Sequence, residues 1–407
     1  MRGGDYSIGV PIRSTAAPIE AEKRLVALDV LRGLALLGMI LVHFHQKMRA
    51  EATGVEDLIG WAVWVLVEQK AWATFAFLFG AGFAILLRRL EQRGSPAAAI
   101  YLRRLAMLAI FGVIAEVGFG FTILFDYACW GVVLFAVRRW TTPALLALAA
   151  LSACARPAAA EITALYSSMI SGAAPAPAAN ALAQAVSAAT HQGSYLTLLS
   201  ARAAAFPASF PHSWRALLPD VNLTLFILGL LAIRHGVLDD PTRHVRLITR
   251  WMAFGAAAWA AAWLVLPRVA ALIASPNAAW PVEYGFGLIQ DQWLCFTYIG
   301  AIVLLLAFRP GWLRRLSLFA LAGRMALTNY MLQAATLDVL SSGYGADLKL
   351  RPFLYPIAAA LLFGTEGLLS RAWLARYRFG PLEWVWRSVT YARLQPLRRA
   401  RAEAQPA

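Results

Sequence analysis

The chain has 407 residues, of which 60% are hydrophobic and only 14% are charged. Soluble domains are about half apolar and about a quarter charged, so this composition excludes an ordinary soluble protein and predicts an integral membrane protein with several spans. The net charge of +15 does not indicate nucleic-acid binding, because the basic residues recur in short clusters between apolar runs instead of forming one arm. Such clusters are typical of cytoplasmic loops.

The first apolar run, Leu25 to His45, is long enough to cross a bilayer of roughly 30 Å. Residues 1–24 lack an apolar core, so we expect no signal peptide and a first helix that acts as its own insertion signal. Asp29 and Arg32 share one helix face, and His43 follows Arg32 by close to three turns. Arg32 and His43 therefore project from nearly the same side, about 16 Å apart along the axis, towards opposite membrane surfaces.

Each of these polar residues has two interpretations. Arg32 and Asp29 form an ion pair that lowers the cost of both charges, or Arg32 also binds an anion or takes part in catalysis. His43 is a hydrated interfacial histidine, or it is a general base.

The remaining pattern predicts an all-α transmembrane helix bundle of about ten spans. The expected later spans are 71–87, 105–119, 123–137, one from about 143, then 221–233, 251–273, 288–308, 318–340 and 353–373. Residues 58–70 predict a separate amphipathic helix at the outer interface, because ten apolar residues cannot span and Trp61 and Trp64 suit that depth.

Three units follow from this division: a cytoplasmic segment 1–24, a bundle 25–376 and a basic cytoplasmic tail 377–407. An Ala- and Pro-rich external loop covers about 158–219. The tail contains an amphipathic helix that is expected to begin near Pro381.

The distribution of Lys and Arg orients the bundle. Expected inner segments hold 27 of these residues and outer segments hold 7. This bias predicts that both termini are cytoplasmic. The three cysteines, Cys129, Cys154 and Cys295, fall inside apolar runs without metal-ligand spacing, so we interpret them as buried small hydrophobic residues.

The expected ninth span contains GRMALTNYMLQ, residues 323–333. Asn329, Tyr330 and Gln333 form a polar set there, and Asn329 and Gln333 lie on one face. Hydrogen bonding between helices is the simpler explanation, and a catalytic role is the alternative.

Six stretches resemble the YeiB family of bacterial inner-membrane proteins, in the same order along nearly the whole chain. They are LDVLRGLALLGMILV (28–42), FAFLFGAGF (75–83), RRL from 103, ILFDYACWG (123–131), GRMALTNYMLQ (323–333) and FGPLEWVWRSVTY (379–391). The first helix is also similar to those of acyltransferase family 3 proteins and heparan-alpha-glucosaminide N-acetyltransferase. Arg32, Gly33, Ala35 and His43 match the R-G-x-A motif of the family 3 proteins and the essential His eleven residues after its Arg.

This resemblance implies a membrane acyltransferase in the bacterial inner membrane. Acyl-CoA as co-substrate would place its phosphates near Arg32, Arg103 and Arg104, and His43 would deprotonate an acceptor on a periplasmic or lipid-linked glycan. Asn329 or Tyr330, near His43 or Arg32 in a shared cavity, would stabilise the oxyanion.

Supporting roles in that site fall to Asp29, Arg324 and Gln333, and no metal is expected. The chain departs from its YeiB relatives at two positions, where they tend to carry Asn in place of His43 and Asp in place of Thr122. The alternative function is a transporter, a flippase or another non-enzymatic membrane protein. The absence of an internal repeat of five spans weakens the transport interpretation.

Overall fold

A computed structural model describes residues 26–50, 54–121, 123–154, 177–209, 220–272 and 293–399. The expected segment 1–24, Thr122, parts of the external loop and the last residues of the tail lie outside these ranges. The helices are α1 Val26–Lys47, α2 Val55–Val63, α3 Gln69–Gln92, α4 Ala97–Phe119, α5 Ile123–Val137, α6 Thr142–Cys154, α7 Pro177–Gln192, α8 Tyr195–Ser209, α9 Val221–Arg234, α10 Val245–Leu272, α11 Trp293–Phe308, α12 Trp312–Arg315, α13 Ser317–Arg324, α14 Ala326–Ser341, α15 Tyr355–Arg376 and α16 Pro381–Thr390.

The all-α prediction is confirmed for the described residues, and each expected span contains at least one helix. Four helical stretches are long and apolar enough to cross a membrane: Val26–Lys47, Leu58–Gln92, Ala97–Phe119 and Pro352–Arg376. Several shorter apolar helices accompany them. The chain is therefore a membrane protein with multiple spans, while the number of ten crossings and the orientation remain predictions.

The expected interfacial helix at 58–70 is not a separate element. Helix α2 continues through a π-helical segment, Trp64–Glu68, directly into α3, so that Leu58–Gln92 is one helix of 35 residues. The prediction failed because hydropathy falls at Glu68, Gln69 and Lys70, although backbone hydrogen bonding continues through these residues. A π-helical turn inside a longer helix often marks a functional region.

The expected ninth span is broken at Met325, which separates α13 from α14. Met325 has φ −109° and ψ 33°, outside the helical region. The break lies inside the GRMALTNYMLQ motif, between Arg324 and Ala326. The residue at the break is methionine, so no glycine or proline at that position predicts it.

Helices α1 and α13 cross at van der Waals distance because glycines line the crossing. A side chain at Gly33 would collide with the carbonyl of Phe319, and one at Gly323 would collide with the carbonyl of Asp29. Small residues permit this close approach in membranes, where the hydrophobic effect does not drive helices together. The crossing fixes the first motif helix against the start of the second.

Two hydrophobic clusters make up the core. One surrounds α3, α4, α5 and α9, and the other joins α1, α14 and α15. The interpretation of the cysteines was wrong for two of the three: Cys129 and Cys154 are exposed on the bundle surface, and only Cys295 is buried. Their apolar surroundings in the sequence are the outward faces of α5 and α6, which a membrane would cover.

Candidate functional site

One end of α1 carries an ion pair. Arg32 Nη1 donates to Asp29 Oδ1 at 2.7 Å, and the Asp29 side chain is 3% exposed. Gly82 of α3 lies beside the guanidinium, since a Cβ there would be in ordinary van der Waals contact with Arg32 Nη2 at 3.6 Å. The pairing interpretation of Arg32 therefore describes the structure, and its guanidinium remains partly exposed.

The other arginines predicted to bind acyl-CoA or to support catalysis lie in α4, for Arg103 and Arg104, and at the end of α13, for Arg324. The Arg104 guanidinium stacks 3.7 Å from the ring centroid of Trp386 in α16, whose indole Nε1 donates to the Arg104 carbonyl. Arg103 is half-buried, and its Nε has no hydrogen-bond partner within the described part of the chain. Arg324 is the last residue of α13. None of the three lines the cavity described next.

At the other end of α1 the bundle contains a cavity of about 430 Å³, within the usual size of small-molecule sites. Its walls come from α1, the π-helical segment, α3, α5, α6, α9 and α14. Its polar lining consists of His43, Gln46, Lys47, Glu68, Gln69, Asp126, Asp220, Asn222 and Tyr330. The apolar lining includes Trp72 and Phe121.

His43 and Tyr330 line this cavity on either side of Phe121. The His43 ring meets the Phe121 ring edge to face with 4.4 Å between centroids, and Tyr330 meets it at 6.5 Å. Both side chains are 6% exposed. His43 Nδ1 has no hydrogen-bond partner among the described residues. The arrangement offers an imidazole nitrogen and a phenol in one polar cavity.

The turn after α4 holds Phe121 in this position. Gly120 has φ +74°, a left-handed conformation that favours glycine. Lys47 Nζ donates to the carbonyls of Phe119 and Gly120 at 3.4 and 3.3 Å and lies 3.9 Å from the centroid of the Phe121 ring. Lys47, one turn after His43, thus ties α1 to this turn.

A buried ion pair secures the same turn from the side of α8. Arg202 donates to both carboxylate oxygens of Asp338 in α14, at 3.0 and 2.6 Å, and to the Gly118 carbonyl at 3.1 Å. Tyr344 and Ser342 also donate to Asp338. Part of the expected external loop is therefore helical and packs against the last turn of α14.

Asn329 and Gln333 point away from the cavity. Asn329 Nδ2 donates to the Ala322 carbonyl and to Ser370 Oγ, each at 3.0 Å, and Gln333 Nε2 donates to Glu366 at 2.7 Å. Both amide protons of Asn329 are engaged, and neither residue lines the cavity. These contacts agree with the simpler interpretation of helix-to-helix hydrogen bonding, and they leave Tyr330 as the better candidate for an oxyanion donor.

Glu383 of α16 caps the helix that carries Tyr330. Its Oε1 accepts hydrogen bonds from the amides of Leu327 and Thr328 at 2.8 and 3.1 Å, and its Oε2 accepts one from Thr328 Oγ1 at 2.5 Å. Burial raises the pKa of this carboxyl, although the hydrogen bonds it accepts act in the opposite direction. Two of the sequence motifs, around Tyr330 and around Glu383, are therefore in direct contact.

Sequence analysis missed most of the cavity lining. Asp220 had the clearest signal, because it directly precedes an apolar run and accepts from the amide of Asn222 as a helix N-cap. Asp126 lies in the ILFDYACWG motif, where nothing in the spacing relates it to His43. Lys47 and Glu68 lie in polar stretches of the sequence, and no local pattern relates them to Tyr330. Among the described residues no group of three His, Cys, Asp or Glu side chains could hold a metal ion.

Two family models match the chain. The catalytic domain of heparan-alpha-glucosaminide N-acetyltransferase matches residues 24–199, and a protein family of unknown function, DUF418, matches residues 232–393. The first match contains His43 and the second contains Tyr330. The cavity is therefore lined by residues from both matched regions.

Full-length relatives are bacterial. The uncharacterized protein YxaH of Bacillus subtilis strain 168 is 27% identical, with 94% of this chain and 98% of the relative covered. The uncharacterized protein YeiB of Escherichia coli K12 is 26% identical, with 90% and 96% covered. No solved structure matches the chain. The resemblance to the YeiB family and to the N-acetyltransferase catalytic domain is confirmed by these matches.

Proposed function

We propose that this relative of YeiB is a membrane acyltransferase that transfers an acyl group from cytoplasmic acyl-CoA to a periplasmic or lipid-linked glycan. The observation that carries the proposal is the cavity that His43 and Tyr330 both line, and the buried Nδ1 of His43 has no partner among the described residues. The match of residues 24–199 to an N-acetyltransferase catalytic domain supports the same reaction class.

In the proposed mechanism His43 acts as the general base. Acyl-CoA supplies an activated thioester carbonyl. His43 takes the proton of the acceptor hydroxyl or amine as that atom forms its bond to the carbonyl carbon. It returns the proton to the thiolate that leaves when the carbon–sulfur bond breaks. Tyr330 donates a hydrogen bond to the negative charge that develops on the carbonyl oxygen.

The cavity chemistry fits an acceptor rich in hydroxyl or amino groups. Glu68, Asp126 and Asp220 contribute carboxylates, and Gln69 adds an amide. Trp72 provides an aromatic surface next to them. These groups can hydrogen-bond a sugar and hold its ring against an apolar face.

The phosphates of acyl-CoA require cations at the opposite end of α1. Arg32, Arg103 and Arg104 are the candidates, and Arg103 fits best because Arg32 pairs with Asp29 and Arg104 stacks on Trp386. Arg32 and His43 are eleven residues apart, about 16 Å along the helix axis. An extended thioester arm would bridge this distance. The proposal includes the predicted topology of about ten spans with both termini in the cytoplasm.

The test uses purified full-length protein in liposomes with radiolabelled acetyl-CoA and bacterial membrane glycolipid extract. We expect release of the CoA thiol and transfer of the label to glycolipid, both lost in His43→Gln. His45→Gln is the matched control, because His45 lies on the same helix end, contacts Tyr355 and does not line the cavity. Equal activity of the wild type and His43→Gln would overturn the histidine mechanism, as would equal loss in both variants.

A further inference from the structure

A second, shallower depression lies on the turn between α11 and α13, away from the cavity of His43. Its volume is about 590 Å³, and it is lined by Phe308, Arg309, Pro310, Gly311, Trp312, Arg314 and Arg315. All of these residues belong to one short stretch of chain, so the depression is a local feature of this turn.

Among the described residues, no carboxylate pairs with the three arginines of this turn. Arg309, Arg314 and Arg315 are exposed, and none of them forms an ion pair with a described residue. Arg88 and Arg202, by contrast, are paired: their guanidinium groups donate to Asp239 and Asp338, respectively, at 2.6 Å. Like charges within a few residues repel one another, so an anion in the depression would stabilise the turn.

Two exposed aromatic side chains accompany the charges. Phe308 is 57% exposed and Trp312 is 38% exposed, and the Arg315 guanidinium lies 5.0 Å from the Trp312 ring centroid. Helix α11 ends at Phe308, and Pro310 and Gly311 follow it, so the turn comes directly after an apolar helix. Trp and Arg side chains together at the end of a membrane helix are typical of the headgroup level.

We propose that this turn, residues 308–315, binds the phosphate of an anionic phospholipid. A guanidinium donates two parallel hydrogen bonds to phosphate oxygens, and three guanidinium groups exceed the single charge of a phosphodiester. Phe308 and Trp312 would contact the glycerol and the upper part of the acyl chains. In the proposed topology the turn faces the cytoplasmic leaflet, where anionic lipids are enriched.

The site is connected to the rest of the bundle through α13. Helix α13 begins two residues after Arg315 and crosses α1 at Gly33 and Gly323. Lipid binding would thus stabilise the crossing next to Asp29 and Arg32. This interaction is independent of the proposed acyl transfer.

The experiment measures phospholipid binding to the full-length protein in detergent by native mass spectrometry. We expect phosphatidylglycerol to bind more tightly than phosphatidylcholine, and R309Q/R314Q/R315Q to weaken this binding at least about tenfold. The control R243Q/R246Q/R250Q removes the same charge from exposed positions on the loop before α10 and at its start, and it should bind phosphatidylglycerol as the wild type does. Equal losses in both triple variants would overturn the proposal, as would wild-type binding by R309Q/R314Q/R315Q.

Two further measurements distinguish a lipid from a soluble anion. R309K/R314K/R315K keeps the charge and loses the two-pronged geometry, so we expect an intermediate affinity. Inorganic phosphate should neither displace phosphatidylglycerol nor raise the unfolding temperature of the delipidated protein. If inorganic phosphate displaces phosphatidylglycerol from the wild type and from the R243Q/R246Q/R250Q control, the site binds a soluble phosphate and the lipid proposal is wrong.

Discussion

The two ends of α1 carry polar residues that differ in whether they have a partner. At the Asp29 end the charges are joined in an ion pair, beneath a crossing with α13 that leaves no room for a side chain at Gly33. At the His43 end the imidazole faces a cavity, and its Nδ1 has no partner among the described residues.

This difference separates two reasons for placing polar groups in a membrane helix. A buried carboxylate beside a guanidinium is satisfied by its partner, and any further role requires that the pair be shared or broken. A buried ring nitrogen without a partner carries a cost that binding of a substrate can relieve. The end with unsatisfied groups is therefore the better candidate for chemistry.

The largest expected effect is at the cavity end. His43→Gln should lower kcat/KM for acyl transfer about 10²- to 10⁴-fold, the usual contribution of a general base, and this corresponds to about 3–5 kcal/mol. The unfolding temperature should change little because glutamine fills a similar volume. Steady-state kinetics beside His45→Gln measures the effect. A large loss of stability without a specific loss of rate would make His43 a structural residue.

Substitution at the Asp29 end of α1 should lower the free energy of unfolding. Asp29→Ala leaves Arg32 without its carboxylate and should cost about 3–5 kcal/mol of unfolding free energy, as in other broken buried pairs. The double variant with Arg32→Ala should be less destabilised than the sum of the single variants. Denaturant unfolding in micelles measures both. Additive losses would mean that the pair contributes no coupling energy.

A smaller effect is expected at the cap of α14. Glu383→Ala removes the acceptor for two amides and a hydroxyl, leaves these donors without a partner and should cost about 1–3 kcal/mol. Glu56→Ala is the control, since Glu56 forms an exposed ion pair with Arg351 that contributes at most about 1 kcal/mol. Unfolding free energies of both variants decide the point, and equal effects would contradict the capping role.

The smallest expected effect is at Phe121. Phe121→Leu removes the edge-to-face contact with His43 and should cost about 0.5–1.5 kcal/mol, seen as a severalfold fall in kcat/KM. The imidazole resonances of His43, recorded by NMR with labelled histidine, should shift because the aromatic ring of Phe121 no longer lies against the imidazole. Unchanged resonances together with unchanged rates would show that Phe121 does not orient His43.

Helix positions could be predicted from the sequence because hydropathy and helical period are local properties. The helix that starts at Pro381 is an example, since proline is favoured in the first turn. The break at Met325 could not be predicted in this way. The amides of Leu327 and Thr328, which follow the break, donate to Glu383, more than fifty residues later. The residues next to Met325 in the sequence do not indicate that Glu383 is the hydrogen-bond acceptor.

The candidate site divides in the same manner. The pair of Asp29 and Arg32 follows from helical spacing alone. Either Asn329 or Tyr330 was expected near His43 or Arg32, and Tyr330 lines the cavity of His43 whereas Asn329 does not. Glu68 and Asp220 complete that cavity through the packing of three separate helical segments, which only tertiary structure determines.

The cap by Glu383 also has a consequence for biogenesis. The chain is synthesised from its N-terminus, so α13 and α14 are made before Glu383 is added. Until then the amides of Leu327 and Thr328 lack the carboxylate that accepts from them in the finished fold. The cap of the helix that carries Tyr330 therefore forms only when the end of the chain has been made, and a protein truncated before α16 would lack this cap.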